Sequence, residues 1–262
     1  MIDPRVQEDR DYVASGYAER AASAEQVFVP SNHMRVLDTN KKAEVIRETY
    51  RLLAIGVFSS MATAWLASSS LSVVMFMTKM MSSPLGFIVA LMGLNVIPAM
   101  ALKSARNNPR NAALTLALDG ALSGLLISPL IFKAILMSGM GSDAPNLVQA
   151  ALVITAAVFL GISAYIYQSG TQFNYGKGFG VGLCWTLLIG IPINAFMLGS
   201  GTFGLFLCLG VGVLGTLQLL WATSSVLHDP EFDEPAYGAL CLFAGLFNLF
   251  TTILRLLMSS RR

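Results

Sequence analysis

Acidic residues are almost missing from the greater part of this 262-residue chain. From Leu52 to Ser259 the apolar runs contain one, Asp119, and the other Asp and Glu lie in the N-terminal tail or in short loops. Charged residues of both signs make up 12% and hydrophobic ones 55%. A soluble domain carries about 25% charged residues, so this balance excludes an ordinary soluble fold. The runs do not alternate in segments of about ten residues, which excludes a transmembrane β-barrel. There are three cysteines, Cys184, Cys208 and Cys241, each inside an apolar run. They cannot form a disulfide framework and read as small hydrophobes. The two histidines, His33 and His228, lie outside the runs, and no HExxH, P-loop or nucleophile elbow occurs. No enzyme, metal site or cofactor is therefore expected. Basic residues form no stripe interleaved with aromatics, so nucleic acid is not an expected partner. No Asn-x-Ser/Thr acceptor is present. Residues 1–25 lack an apolar core, and Asp3, Glu8, Asp9 and Asp11 come too early for a typical transit peptide.

What the chain does have is apolar length. A helical crossing needs about 20 apolar residues, and 52–259 supplies roughly seven. The expected fold is all-α, a polytopic seven-transmembrane-helix bundle over 47–262, with a polar, partly helical N-terminal extension over 1–46. The crossings are expected near 52–73, 84–103, 112–136, 147–168, 178–199, 202–227 and 237–259. In the tail, 6–24 suits a surface helix that Pro30 interrupts, and Asp38 or Thr39 is suited to cap the next. Residues 71–83, rich in Met around Lys79, are too short for a further crossing and suit a bent interfacial connection. Pro84, Pro98, Pro129 and Pro192 predict kinks that neighbouring helices accommodate.

Lys41, Lys42, Arg47, Arg51, Lys103, Arg106, Arg110 and Lys177 fall on the N-terminal side of the membrane, against Lys79, Lys133, Arg261 and Arg262 on the other. That bias places the N-terminus on the cytosolic or equivalent side. Small residues crowd the later runs. Gly176, Gly178, Gly180 and Gly182 contain two GxxxG spacings, which allow close helix approach in lipid. Gly210-x-Gly212-x-x-Gly215 matches a dinucleotide fingerprint literally, but it lies inside an apolar run with no preceding strand, so it reads as helix packing.

Few side chains are available for chemistry within the membrane. Asp119 is about seven residues into its run, roughly 10 Å deep at about 1.5 Å per residue. It reads either as a proton or cation site or as a structural acid facing the bundle interior. Lys133, fourteen residues on, is too far along the same helix to pair with it and is expected to snorkel, as is Arg255. Asn95, Asn194, Gln218 and Asn248 can hydrogen-bond between helices or line a polar path. The loop from His228 to Pro235 holds four acids without the ligand spacing of a calcium loop, and reads as a solvated connection.

Several segments occur in a known order. They are Arg47-Glu-Thr-Tyr-Arg-Leu-Leu-Ala-Ile-Gly, Gly124-Leu-Leu-Ile-Ser-Pro-Leu-Ile, Thr155-Ala-Ala-Val-Phe with Ser163 and Tyr165, and Ala239-Leu-Cys-Leu-Phe-Ala-Gly-Leu-Phe-Asn-Leu-Phe followed by Leu254-Arg-Leu-Leu. Over roughly 47–257 the chain resembles the Bax-inhibitor (transmembrane Bax-inhibitor-motif) family of seven-helix membrane proteins. The resemblance implies cation handling, notably a pH-sensitive calcium leak, and protection against cell death. It also implies two acids near the ends of helices six and seven that titrate together and gate the path. Here Trp221-Ala222-Thr223 stands in place of an aromatic-Asp-Thr, and Leu242-Phe243-Ala244-Gly245 in place of Leu-Tyr-Leu-Asp. Gln168-Ser-Gly-Thr-Gln offers no counterpart for a further Asp after helix four. Ala222 and Gly245 cannot titrate, and a coupled sensor needs two titrating groups.

The expectation is a Bax-inhibitor-like integral membrane protein without the acid-gated leak, serving as a structural or accessory subunit of a larger membrane complex. Its partners would be the bilayer and other proteins, met through the N-terminal extension and the Gly-rich helix faces. The alternative is a cation or proton channel or transporter using Asp119, Asn194, Gln218 or Asn248, with a role in ion homeostasis and cell-death control. A bacterial inner membrane, the endoplasmic reticulum and the mitochondrial inner membrane are all compatible with the sequence.

Overall fold

The computed structural model describes residues 31–86, 88–90, 93, 109–139, 146–170, 201–229 and 232–260, and every regular element among them is helical. The helices are α1 (Ser31–Ser68), α2 (Leu71–Ser82), α3 (Pro109–Gly139), α4 (Leu147–Ser169), α5 (Gly201–His228) and α6 (Pro235–Ser259). Five are long and apolar enough to cross a membrane: α1 from Asn40 onward, α3, α4, α5 and α6. α2 and the helical segment Pro84–Ala90, set at 98° to each other across a short break, are long and apolar enough for a sixth only when taken together. The protein is an all-α, multi-pass membrane protein, as its composition requires. The expected crossing at 178–199 lies outside the described residues, as do most of 84–103 and the surface helix at 6–24.

Two boundaries differ from expectation. α1 begins at Ser31 and ends at Ser68, so its crossing occupies 40–68 and not 52–73. No Gly or Pro falls between Ser31 and Asp38 to delay the start. At the other end, Ser68 Oγ donates to Trp65 O at 3.1 Å and Ser69 Oγ to Leu66 O at 2.8 Å. Trp65 O also accepts from Ser69 N at 3.1 Å, while the Ser69 hydroxyl satisfies the Leu66 carbonyl near the helix end. Ser70 is then extended and begins α2. The second difference is that 71–82 is a regular helix, with the bend placed after it. Ser83 Oγ accepts from Gly86 N at 3.1 Å, and Pro84 occupies the first helical position, so a new helix starts there in a new direction.

Other ends follow local chemistry. Asn146 caps α4 by accepting from Val148 N at 3.0 Å. Gly170 closes α4 at φ 61°, a left-handed conformation that glycine adopts without a steric cost. Pro129 lies inside α3 and removes the amide that would bond Leu125 O, and Ser128 Oγ donates to that carbonyl instead, at 2.7 Å.

α5 and α6 form an antiparallel seam of small and polar residues. A Cβ on Gly212 would stand 2.5 Å from Thr252 Cγ2, and one on Gly215 would stand 3.0 Å from Asn248 Cβ. Thr252 Oγ1 donates to Cys208 O at 3.3 Å, and Gln218 Nε2 to Cys241 O at 3.3 Å. Gly212 and Gly215 are thus packing residues, in keeping with their sequence context. α1 and α3 meet more closely still. A Cβ on Gly120 would lie 2.2 Å from Gly56 O, and one on Gly124 would lie 2.3 Å from Ser60 O. Ser59 Oγ donates across to Ala117 O at 2.6 Å. In lipid such small-residue contacts supply the van der Waals packing that the hydrophobic effect does not.

The outer surface is apolar. α4 buries only 17% of its most apolar stretch. Large side chains such as Phe58, Trp65, Val153 and Leu160 are exposed. Such a surface is stable only against hydrocarbon or another protein. Trp65 near the end of α1 is 71% exposed and Tyr167 near the end of α4 is 77% exposed, positions suited to the headgroup level.

The loop between α5 and α6 is held rather than merely solvated. Lys42 Nζ donates to Asp229 O, and to Ser225 O at 3.4 Å and Phe232 O at 3.5 Å. The ammonium also lies 5.9 Å from the centre of the Phe232 ring. His228 Nε2 meets Ile166 O at 3.0 Å. A cation beside the last carbonyls of α5 complements the helix dipole, and α1 at Lys42 and the end of α4 are tied to one bundle end. Lys42→Met is expected to lower unfolding free energy by about 1.5 kcal/mol, the scale of a charged hydrogen bond. Denaturation in detergent micelles checks this, and an unchanged midpoint would show that the carbonyl cluster contributes nothing.

Candidate functional site

The polar residues marked in the sequence do not converge. Asp119 is 6% exposed, on the inward stripe of α3 that includes Leu116, Ser123 and Ile127. It follows the α1–α3 seam, one residue before Gly120. It makes no hydrogen bond or ion pair among the described residues. Gln218 and Asn248 belong instead to the α5–α6 seam. Gln218 spends its amide nitrogen on Cys241 O, while its Oε1 is buried without a partner. Asn248 packs against Gly215. No described contact joins Asp119 to either, and Asn95 and Asn194 lie outside the described residues.

The two positions at which the resemblance expects acids are both closed. Ala222 is 2% exposed, in a cluster with Leu52, Leu219, Leu242 and Phe243. A Cβ on Gly245 would stand 2.8 Å from Leu219 Cγ and 3.0 Å from its Cδ2. Leu219 is 0% exposed and has no solvent-facing space to turn into. It sits three residues before Ala222, about 4.5 Å along α5. A branched apolar side chain therefore packs against Gly245 and shares a buried cluster with Ala222. Thr223, next to Ala222 in sequence, is itself buried with an unpartnered hydroxyl, and Gln218 Oε1, next to Leu219, is buried without a partner too. Among the described residues no acid stands at this contact.

A cavity of about 840 Å³ opens elsewhere, among α2, α3, α5 and α6. Its body is apolar, with Val74, Leu130, Val211 and Phe247 among its walls. Lys79, Lys133 and Arg255 also line it, and no described acid does. The three come from the last turns of their helices or near them. Each is exposed, and none makes an ion pair among the described residues. The expected snorkelling of Lys133 and Arg255 thus acquires a shared destination. Among the described residues no group of three or more His, Cys, Asp or Glu is arranged to hold a metal.

Sequence reasoning missed three features. The spacing Gly120-x-x-x-Gly124, facing Gly56 and Ser60, was legible as small residues four apart. The grip of Lys42 on α5 was not, because its acceptors are backbone carbonyls far along the chain. The meeting of three cations at one cavity depends on which helices are neighbours.

The family described as Inhibitor of apoptosis-promoting Bax1 matches residues 42–262. Among curated relatives, "Modulator of FtsH protease YccA" of Escherichia coli K12 is 29% identical over 236 residues, covering 88% of this chain and 96% of the relative. An "Uncharacterized membrane protein" of Vibrio cholerae is 26% identical over 223 residues, covering 85% and 91%. "Protein lifeguard 4" of mouse is 33% identical over 112 residues, covering 42% and 46%. No solved structure matches the chain. The family match runs from the Lys42 anchor through all the helices of the bundle, and the chain belongs to the Bax-inhibitor family.

Proposed function

We propose that this protein is a non-catalytic accessory subunit of a larger membrane assembly and does not conduct cations by an acid-gated leak. The observation that carries this is the packing of Leu219 over Gly245 beside buried Ala222. A coupled acid pair is absent there, and the space it would need is filled. The cavity gives independent support, because three cations and no described acid line it, an arrangement that repels metal cations. The relative named as a modulator of FtsH protease, aligned over nearly its whole length, suggests the kind of partner: a protease of the FtsH type, whose action this chain would adjust. Contact would be made through the apolar helix faces and the N-terminal extension.

Two measurements test this together. Purified in mild detergent from its own membrane, the chain should elute well above its own 28.1 kDa plus micelle, with a protease among the bound proteins. Reconstituted alone into liposomes, it should pass no calcium. The rival transport function rests on Asp119, buried and unpartnered among the described residues. Cation flux in the wild type that disappears in Asp119→Asn, from a protein that purifies alone, would overturn the subunit proposal.

A further inference from the structure

The cavity bounded by α2, α3, α5 and α6 has a chemistry of its own, independent of whether the chain has a protein partner. It is contained in the membrane-spanning part of the molecule, and its walls are mostly aliphatic and aromatic. At about 840 Å³ it falls within the size range of built ligand sites, about 300–1,000 Å³. Three cationic side chains line it, from three different helices. Thr78, Asn248 and Thr251 also line it and offer neutral polar groups. No described acid lies in the lining, so the described residues leave the positive charge uncompensated.

We infer that this cavity binds an anionic phospholipid of the surrounding bilayer, with the phosphate held among Lys79, Lys133 and Arg255 and an acyl chain laid along the apolar body. Charge complementarity selects the occupant. A zwitterionic lipid carries its own cation and would leave the three side chains uncompensated. A soluble anion would satisfy them but leave the apolar body empty. Arg255 brings a planar fork of donors suited to two phosphate oxygens at once, and the lysines act as point charges. Basic side chains near a membrane surface each favour anionic lipid by about fivefold in affinity. The inserted chain would also fill a gap between α2 and the rest of the bundle. Bound lipid would thereby hold α2 against α3.

The test uses the full chain in detergent and in nanodiscs. Native mass spectrometry follows retention of phosphatidylglycerol against phosphatidylcholine of the same chain length. Wild type is expected to retain phosphatidylglycerol selectively, and each of Lys79→Gln, Lys133→Gln and Arg255→Gln to weaken that retention about fivefold. All three side chains are exposed, so the variants should fold, and their melting temperatures without lipid verify it. Val211→Phe, which fills the body and keeps the charges, should also reduce retention of the long-chain lipid. Equal retention of the two lipids by wild type overturns the inference, as does unchanged retention in the triple Gln variant. Stabilisation by inorganic phosphate equal to that by phosphatidylglycerol would mark a soluble-anion site and overturn it too. A protein that purifies alone but selects phosphatidylglycerol would sink the subunit proposal and leave this one standing.

Discussion

Replacing Gly120 and Gly124 together by alanine should destabilise the protein by about 3 kcal/mol, the upper range for overpacking a close contact. The sign is the informative part. Alanine is favoured over glycine within a helix by about 1 kcal/mol, so helix propensity alone predicts a gain. The new methyls would lie 2.2 Å from Gly56 O and 2.3 Å from Ser60 O. Both obstacles are backbone atoms, which cannot rotate aside. α1 and α3 would have to separate, with loss of the Ser59 to Ala117 hydrogen bond and of packing along the seam. Gly161→Ala is the control, since nothing lies within 4 Å of its added carbon. Unfolding of both variants in mixed micelles should show a loss for the pair and none for the control. If the double variant unfolds with the wild type, the seam does not depend on glycine.

Putting an acid back at Gly245 should be nearly as damaging. Gly245→Asp places a carboxylate against Leu219, which is fully buried, in a contact with no described cation. The acid must either stay charged without a partner or bind a proton, and both cost free energy. The expected loss is about 3 kcal/mol or more, the scale of an uncompensated buried charge. Adding Leu219→Ala should return the steric part of that loss and not the electrostatic part. Neither variant should conduct calcium in liposomes. A Gly245→Asp protein with wild-type stability that also gains a calcium leak would show an open path at this seam. The accessory-subunit proposal would then lose its main support.

The two substitutions mark different depths of legibility. Loss of the acids at Ala222 and Gly245 could be read from order and resemblance alone. Whether their space had become a polar hole or a packed contact could not, because Leu219 is just another apolar residue in the sequence. Asp119 shows the reverse case. Its isolation was plain from the sequence and left a proton or cation site and a structural acid both open. The structure sets it beside Gly120, where α1 and α3 come into close backbone contact. The lysine at 42 had looked like one of several topology-setting charges. Its carbonyl acceptors on α5 and in the loop beyond it, more than 180 residues away, gave no signal in any local pattern.

Sequence by itself determined that the chain is a helical, multi-pass membrane protein of the Bax-inhibitor family. It did so because bilayer thickness and the need to satisfy every backbone amide leave apolar runs of this length one conformation. The resemblance also implies that Ala222 and Gly245 stand where coupled acids are expected. The tertiary structure alone decided which small residues touch, what packs against Ala222 and Gly245 and which cations line one cavity. Those properties depend on the relative rotation and depth of helices distant in sequence. In lipid these are set by close packing and interhelical hydrogen bonds rather than by hydrophobicity, which is nearly uniform along every run.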